Sequence, residues 1–227
     1  MEACLVGSTG LVGSQILTVL SKCSSISAIH VFTRKDAPNV DSRLSYIKDT
    51  DSSSWPAKVP TGTKMFFSAL GTTARQAGGF AAQRKVDYDL NVALAKAAKA
   101  AGIEVYTMIS TSGASPTSRV AYSKMKGELD EAIKAIGFKH TIIVKPGLLV
   151  GTRNDSRPGE FAARKVASFL GGLSNNRLKD GWAQDADVVA KAAVRAALDV
   201  VEGENDDAVR VLNQADVVQL GRTEWAE

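Results

Sequence analysis

The chain has no stretch approaching the roughly 20 uninterrupted apolar residues that a membrane span needs, so it is not expected to cross a bilayer. Cysteine is scarce. Cys4 falls in a strand-like run and Cys23 at a helix end, without metal-ligand spacing and with no second pair, which excludes a disulfide framework; both read as reduced, structural thiols. Internal repeats and low-complexity tracts are missing too. At 227 residues the chain is too short for a nucleotide domain plus an independent substrate domain. One domain over 1–227 is expected, with a core over about 1–150 and substrate-side segments over about 151–227. The first strand-like run follows the initiator Met directly, leaving no room for a secretory signal or cleavable transit peptide, and a cytosol-facing, cytoplasmic protein is expected.

The hydrophobic content of 44% and charged content of 23% are those of an ordinary soluble globular protein. The formal charge of +4 is uneven, because the segment 145–180 alone holds seven basic residues against Asp155, Glu160 and Asp180. That segment reads either as a solvated basic face or as an attractor for an anionic substrate, a cofactor phosphate, a protein partner or an acidic membrane surface. It lacks interleaved aromatics and nucleic-acid motifs, so no nucleic-acid partner is expected.

Apolar, β-branched runs near 2–6, 28–33, 44–48, 64–70, 105–111 and 139–145 alternate with helix-period stretches near 11–22, 84–101 and 120–136. That rhythm predicts βαβ units and an α/β fold, a Rossmann-type doubly wound, mostly parallel sheet with helices on both faces. Over 84–101 the apolar stripe is Val86, Leu90, Ala93, Leu94, Ala97, Ala98 and Ala101, with Lys85, Asp89, Lys96 and Lys99 off it. Beyond Asp185 come one Ala/Val-rich helix to about Val201, an acidic turn and a short strand Val209–Leu212, read as a small C-terminal substrate-side elaboration.

Gly7, Ser8, Thr9, Gly10, Leu11, Val12 and Gly13 leave the first strand and open the first helix. In that context Gly7 permits the tight turn, Gly10 lets backbone approach a pyrophosphate, and Gly13 lets the helix lie on the sheet. The N–H groups of the helix N-terminus then face the phosphates. At the end of the second strand stand Thr33, Arg34 and Lys35, where an acid would bond the ribose 2′-hydroxyl of NAD. Arg34 suits a 2′-phosphate instead, so NADPH is favoured, with Asp36 as the residue that a one-position error in the strand end would bring into play. Asp49 with Thr50 is placed at the adenine edge, and Leu70, Gly71, Thr72 and Thr73 beside the ribose.

Tyr122 and Lys126 are four apart at a helix start, so both project from one face. The Lys126 ammonium would stabilise tyrosinate and hold the nicotinamide ribose, leaving Tyr122 to protonate a developing alkoxide. The strand end Ser110, Thr111 and Ser112 offers hydroxyls for a substrate carbonyl oxygen, Ser112 first and Thr111 second, the alternative being a polar strand end serving its own loop. Asn91 is a candidate to organise a water relay behind Lys126. Pro146, in Lys145-Pro-Gly147, is placed to pack against the nicotinamide, and Arg157 at the substrate mouth. His30 and His140 lie far apart without a partner motif and read as structural, and no metal is expected.

Together these pieces resemble an atypical short-chain dehydrogenase/reductase, more narrowly the Tat-interacting-protein oxidoreductases of animals and their fungal relatives from the mitochondrial proteome. The matching motifs are Gly-Ser-Thr-Gly-Leu-Val-Gly from 7, Ser-Ala-Leu-Gly-Thr-Thr from 68, Val-Asp-Tyr-Asp at 86, Tyr-Ser-Lys-Met-Lys-Gly-Glu from 122, Lys-Pro-Gly-Leu-Leu from 145 and Ser-Arg-Pro-Gly-Glu from 156. They span about residues 3 to 165. The resemblance implies NADPH, Tyr122 as proton donor with Lys126 as its partner, an association with regulatory protein binding, and peripheral attachment to the cytosolic face of the mitochondrial outer membrane in the fungal branch. Lys145 stands where the family often has Arg, and Thr111 replaces one Ser of the usual pair, which leaves the choice of hydroxyl open. The leading expectation is an oxidoreductase that reduces a small carbonyl compound or activated alkene. The rival is an NADPH-gated regulatory or scaffold protein acting through protein or membrane contacts.

Overall fold

The computed structural model describes residues 1–36, 41–150 and 182–225. Their strands are β1 Glu2–Val6, β2 Ala28–Thr33, β3 Leu44–Lys48, β4 Met65–Ser68, β5 Val105–Ile109, β6 His140–Val144, β7 Leu148–Val150, β8 Ala183–Asp185 and β9 Val209–Leu212. The helices are α1 Leu11–Lys22, α2 Ala74–Ala77, α3 Phe80–Arg84, α4 Asn91–Ala100, α5 Ala121–Ile136, α6 Ala186–Glu202 and α7 Gln214–Val218. Seven strands form one sheet in the order β3-β2-β1-β4-β5-β6-β9, every pairing parallel, while β7 and β8 form a separate two-stranded ladder.

Parallel strands need crossover helices, and those helices cover both faces, so the central strands are apolar on both sides. The two-residue side-chain period sorts them. Ala3 and Leu5 of β1 pack with Ile16 and Leu20 of α1 and Val189 and Ala193 of α6, whereas Cys4 and Val6 pack with Leu94 of α4 and Leu129 and Ile133 of α5. Cys4 pairs in register with His30 on one side and Phe66 on the other. Burial pushes its thiol well above the ordinary range, which keeps it inert, as a structural thiol should be.

Three segments differ from expectation. The helix foreseen over 84–101 is broken into α3, a π turn Lys85–Leu90, and α4. The wider turn shifts the helical register, so the buried row runs Gln83, Asp87, Asn91, Leu94, Ala95 and Ala98, while Val86, Leu90, Ala93 and Ala97 are only half-buried. Lys85, Asp89, Lys96 and Lys99 remain on the exposed side. Strands β4, β5 and β6 stop at Ser68, Ile109 and Val144, short of the apolar runs, because the chain turns away to form loops at their carboxyl ends.

The third difference lies beyond Asp185, in the segment expected to elaborate the substrate side. Helix α6 instead buries eleven of its 17 residues, almost all Ala and Val, whose small side chains let it lie along α1. Strand β9 then extends the sheet beside β6. The described part of the C-terminal segment therefore completes the core.

Strand order reverses at β1 and β4, and the glycine loop leaves β1 at that point. Gly7 has φ +86°, and a Cβ there would stand 2.5 Å from the Ala69 carbonyl oxygen. A Cβ at Gly13 would overlap the Gly7 carbonyl oxygen, so the start of α1 reaches the sheet only with glycine at this position. Gly13→Ala is expected to lower unfolding free energy by about 1–3 kcal/mol in urea denaturation. Gly113→Ala, whose Cβ would meet only Ser123 Oγ at 3.6 Å, should stay within about 0.5 kcal/mol of the parent.

Candidate functional site

Because all seven strands run the same way, their carboxyl ends open on one edge of the sheet, where loops from β1, β2, β4, β5 and β6 meet. The glycine loop is closed by the Gly10 N–H, which donates to the Gly7 carbonyl at 2.9 Å. Gly10 caps α1 without a side chain, and no acid stands in the first helical turn. The positive end of the helix dipole is thus left to an anionic ligand, with Ser8, Thr9, Leu11 and Val12 around it. A cleft of about 300 Å³ lies between Leu11, Ser14, Gln15, Val150 and Asp185 to Asp187.

β2 ends at Thr33, as the sequence pattern predicts. The Thr33 hydroxyl accepts from the Lys35 N–H at 3.2 Å and donates to the Lys35 carbonyl at 2.8 Å, turning the chain so that Arg34 is exposed directly after the strand. Asp36 is drawn aside by Lys48 at 2.6 Å, its side chain 89% exposed. The first charged side chain past the strand end is therefore a cation.

Asp49 sits one residue past β3, but its carboxylate is occupied within its own loop. It accepts from the Asp51 N–H at 2.9 Å and the Ser54 hydroxyl at 2.6 Å, and it pairs with Lys58. These donors, Lys58 first, hold its carboxyl well below the usual range. The Asp49 carbonyl accepts from Trp55 Nε1 at 3.1 Å, which seats that ring against Phe32. Asp49 anchors its own loop directly past the end of β3.

The buried polar row on α3, the π turn and α4 holds the loop Leu70 to Thr73. Asp87 Oδ1 accepts from the Thr72 N–H at 2.7 Å, and Gln83 Nε2 donates to the Thr72 carbonyl at 3.0 Å. Asn91 accepts from the Ser68 hydroxyl at 2.6 Å, while its amide donates to the carbonyls of Val86 at 3.2 Å and Asp87 at 3.1 Å and reaches Leu70 at 3.5 Å. Asn91 thus secures the π turn and the β4 loop, and none of these bonds goes to Lys126. Gly71 has room over Asp87, and Thr73 caps α2 by accepting from the Gln76 N–H at 3.2 Å.

On α5, Tyr122 is 41% exposed and Lys126, one turn deeper, is 5% exposed. Lys126 Nζ donates to the Ile109 carbonyl at 3.1 Å. Burial pushes its pKa below the ordinary lysine value, and Asp87 and Asp130 oppose that shift. One further turn along, buried Asp130 accepts from the Ser110 hydroxyl at 2.6 Å and pairs with Lys145 at 2.8 Å. Helix α5 is thereby tied to the ends of β5 and β6. Ser110 is buried and spent on Asp130, whereas Thr111 is half-buried and Ser112 exposed.

The Ser112 N–H donates to the carbonyl of buried Pro146 at 2.9 Å, and the Ser115 N–H donates to the Ser123 carbonyl at 3.1 Å. A Cβ at Gly127 would overlap the Ser115–Pro116 backbone, so glycine there lets the Thr111 to Ser118 loop lie against α5. Arg157, and the basic segment beyond Val150, lie outside the described residues. His30 pairs with Glu2 at 2.8 Å, and His140 Nδ1 lies 3.0 Å from the Asp207 carbonyl, both in the framework of the sheet.

No family model matches the chain. Among curated proteins it is similar to protein fmp52-1, mitochondrial, of Aspergillus terreus, at 46% identity over 228 residues, covering 96% of this chain and 97% of the relative. Protein FMP52, mitochondrial, of Coccidioides immitis is 38% identical over 239 residues, covering 98% and 97%. The chain belongs to the Fmp52 family.

Solved structures share its fold at low identity. MoeE5 in complex with UDP-glucuronic acid and NAD aligns with TM-score 0.69 and 16% identity over 94% of this chain and 76% of that one. The UDP-glucuronic acid 4-epimerase of Bacillus cereus in complex with NAD aligns with TM-score 0.64 and 15% identity over 100% and 92%. The Rossmann-type fold expected from the strand-helix rhythm is that of the Fmp52 family member.

The sequence pattern gave no role to Gln83, Asp87 or Asp130, all of them buried in the folded chain. The available signal was their four-residue spacing, Gln83-Asp87-Asn91 on one helical run and Tyr122-Lys126-Asp130 on the other. Lys145→Met leaves Asp130 buried with a hydroxyl as its remaining bonded partner and is expected to cost about 2–4 kcal/mol in denaturant unfolding. Lys145→Arg should recover most of that loss.

Proposed function

We propose that this Fmp52 family member is an NADPH-dependent oxidoreductase of the short-chain dehydrogenase/reductase type, acting on a carbonyl compound or activated alkene. The observation that carries the reading is the pairing of an exposed Tyr122 with a buried Lys126 one turn away, at the carboxyl edge of a Rossmann sheet.

The residues present fit a dinucleotide. The glycine loop and acid-free first turn of α1 suit a pyrophosphate, and Arg34 suits a 2′-phosphate. A bound nicotinamide dinucleotide would supply the hydride. The NAD bound in MoeE5 and in the Bacillus cereus epimerase supports this class of cofactor, while the exposed Arg34 beside an Asp36 already paired with Lys48 favours the phosphorylated form.

Lys126, held by Ile109 and facing two carboxylates, would keep a positive charge beside Tyr122 and lower the cost of tyrosinate. The Tyr122 hydroxyl would then release its proton to the substrate oxygen as negative charge develops there. Ser112 and Thr111, on the loop braced by Pro146 and Gly127, would donate hydrogen bonds to that oxygen. Ser110 is bonded to Asp130 and supports them from behind.

Screening NADPH consumption against aldehydes, ketones and quinones tests the reading. Tyr122→Phe should lower turnover at least about a hundredfold with cofactor affinity retained. Arg34→Ala should weaken NADPH about ten- to a hundredfold and leave NADH unchanged. Equal inactivity of parent and Tyr122→Phe, with NADPH tightly bound, would reject catalysis and favour the regulatory role.

The relatives' names support a mitochondrial setting, and no helix among the described residues is long and apolar enough to cross a membrane. Peripheral attachment through the basic segment 145–180 accompanies this proposal. Reversing the charges of Arg153, Arg164 and Lys165 should abolish co-flotation with anionic vesicles; unchanged flotation would refute it.

A further inference from the structure

Gln184, on the three-residue strand β8, is fully shielded from solvent. A buried amide is costly unless it is hydrogen-bonded. Its Oε1 accepts from the Gly147 N–H at 2.6 Å, 37 positions earlier in the chain. The backbone from Lys145 to Leu148 is held donor by donor. The Lys145 N–H donates to the Leu212 carbonyl at 2.8 Å, Pro146 has no N–H, and the Leu148 N–H donates to the Trp182 carbonyl at 2.9 Å. Gly147 is the one whose N–H is bonded through a side chain, that of Gln184. Space is equally tight. A Cβ at Gly147 would overlap the Trp182 carbonyl oxygen and stand 2.6 Å from Gln214 Nε2, so glycine lets this backbone approach β8 and α7.

Strand β8 is itself anchored from the core side. It runs directly into α6, most of which is buried, and Arg222 pairs with Asp185 at 3.2 Å. A Cβ at Gly221 would overlap the Val188 carbonyl oxygen, so the π turn Gln219–Thr223 is seated on α6. From this anchor the connection runs toward the site. Gln184 holds the Gly147 N–H, and the adjoining Pro146 carbonyl holds the Ser112 N–H at 2.9 Å. The C-terminal segment thus reaches the loop bearing the candidate hydroxyls through one buried amide.

We propose that Gln184 is a positioning residue for the nicotinamide end of the site, setting the place of Pro146 and Gly147 beyond β6 and, through the Pro146 carbonyl, that of Ser112. This rests on the reading of the edge as a dinucleotide site. Gln184 takes no part in proton or hydride transfer and acts through the backbone it holds. The glycine loop and Arg34 follow β1 and β2, whereas Gly147 follows β6, with β4 and β5 between them. The adenine half of the cofactor should therefore be indifferent to Gln184, which a general weakening of the fold would not be.

The test compares two probes in binding titrations. Gln184→Leu keeps the bulk and removes the acceptor, and it should weaken NADPH about tenfold, the loss of one hydrogen bond. Affinity for adenosine 2′,5′-bisphosphate, which lacks the nicotinamide half, should be unchanged. Gln184→Glu, whose carboxyl oxygen still accepts, should restore NADPH binding. In cofactor-free protein the Ser112 amide should exchange with solvent about tenfold faster in Gln184→Leu, while the Gly10 amide, closed on Gly7, keeps its rate. Equal weakening of both probes, no weakening of either, or an unchanged Ser112 amide overturns the inference and leaves Gln184 a core residue. If Gln184→Leu does not fold, the parent protein decides: NADPH should shift the Gly147 and Ser112 amide resonances and the bisphosphate should leave them in place, and equal shifts overturn the proposal. A parent that binds neither probe, with Ser112 exchange quickened in Gln184→Leu, overturns the cofactor reading instead.

Discussion

A lysine ammonium withdrawn from water must be balanced, and the arrangement around Lys126 follows from that requirement. Its helix is held at the sheet edge by Asp130, which collects Ser110 from the end of β5 and Lys145 from the end of β6. Across from it, Asp87 holds the loop that leaves β4. Asp130 and Asp87 thus link three strand ends and two helical segments.

The parallel sheet supplies the other constraint. Every strand ends on the same edge, so loops far apart in sequence are gathered there without further instruction, and strand order reverses beside the glycine loop. Close approach does the rest. Gly7 against Ala69, Gly13 against Gly7 and Gly127 against the Ser115–Pro116 backbone each mark a place where a side chain would separate two elements that have to touch. In this way the scaffold exposes Arg34 at one end of the edge and Tyr122 at the other, with the uncapped N-terminus of α1 at the glycine loop.

The chain belongs to the Fmp52 family and shares its fold with MoeE5 and the Bacillus cereus epimerase. This chain spans nearly the whole of its Fmp52 relatives but 76% of MoeE5, and its C-terminal helix and strand are committed to the core.

Much of the framework was legible in the sequence because its causes are local. Alternating apolar runs specify strands, the spacing of Gly7, Gly10 and Gly13 specifies a strand-turn-helix junction, and a four-residue interval places Tyr122 and Lys126 on one helical face. The end of β2 at Thr33, and with it the exposure of Arg34, followed from the same pattern. Other features were decided by contacts between distant segments. The π turn at Lys85–Leu90 moved the buried face onto Gln83, Asp87 and Asn91, because the loop after β4 needs those polar groups. Asp49 was claimed by its own loop and Ser110 by Asp130, and α6 with β9 returned to the core. Local pattern determines which elements form and which residues share a face; only the folded chain decides which polar groups are buried together and must satisfy one another.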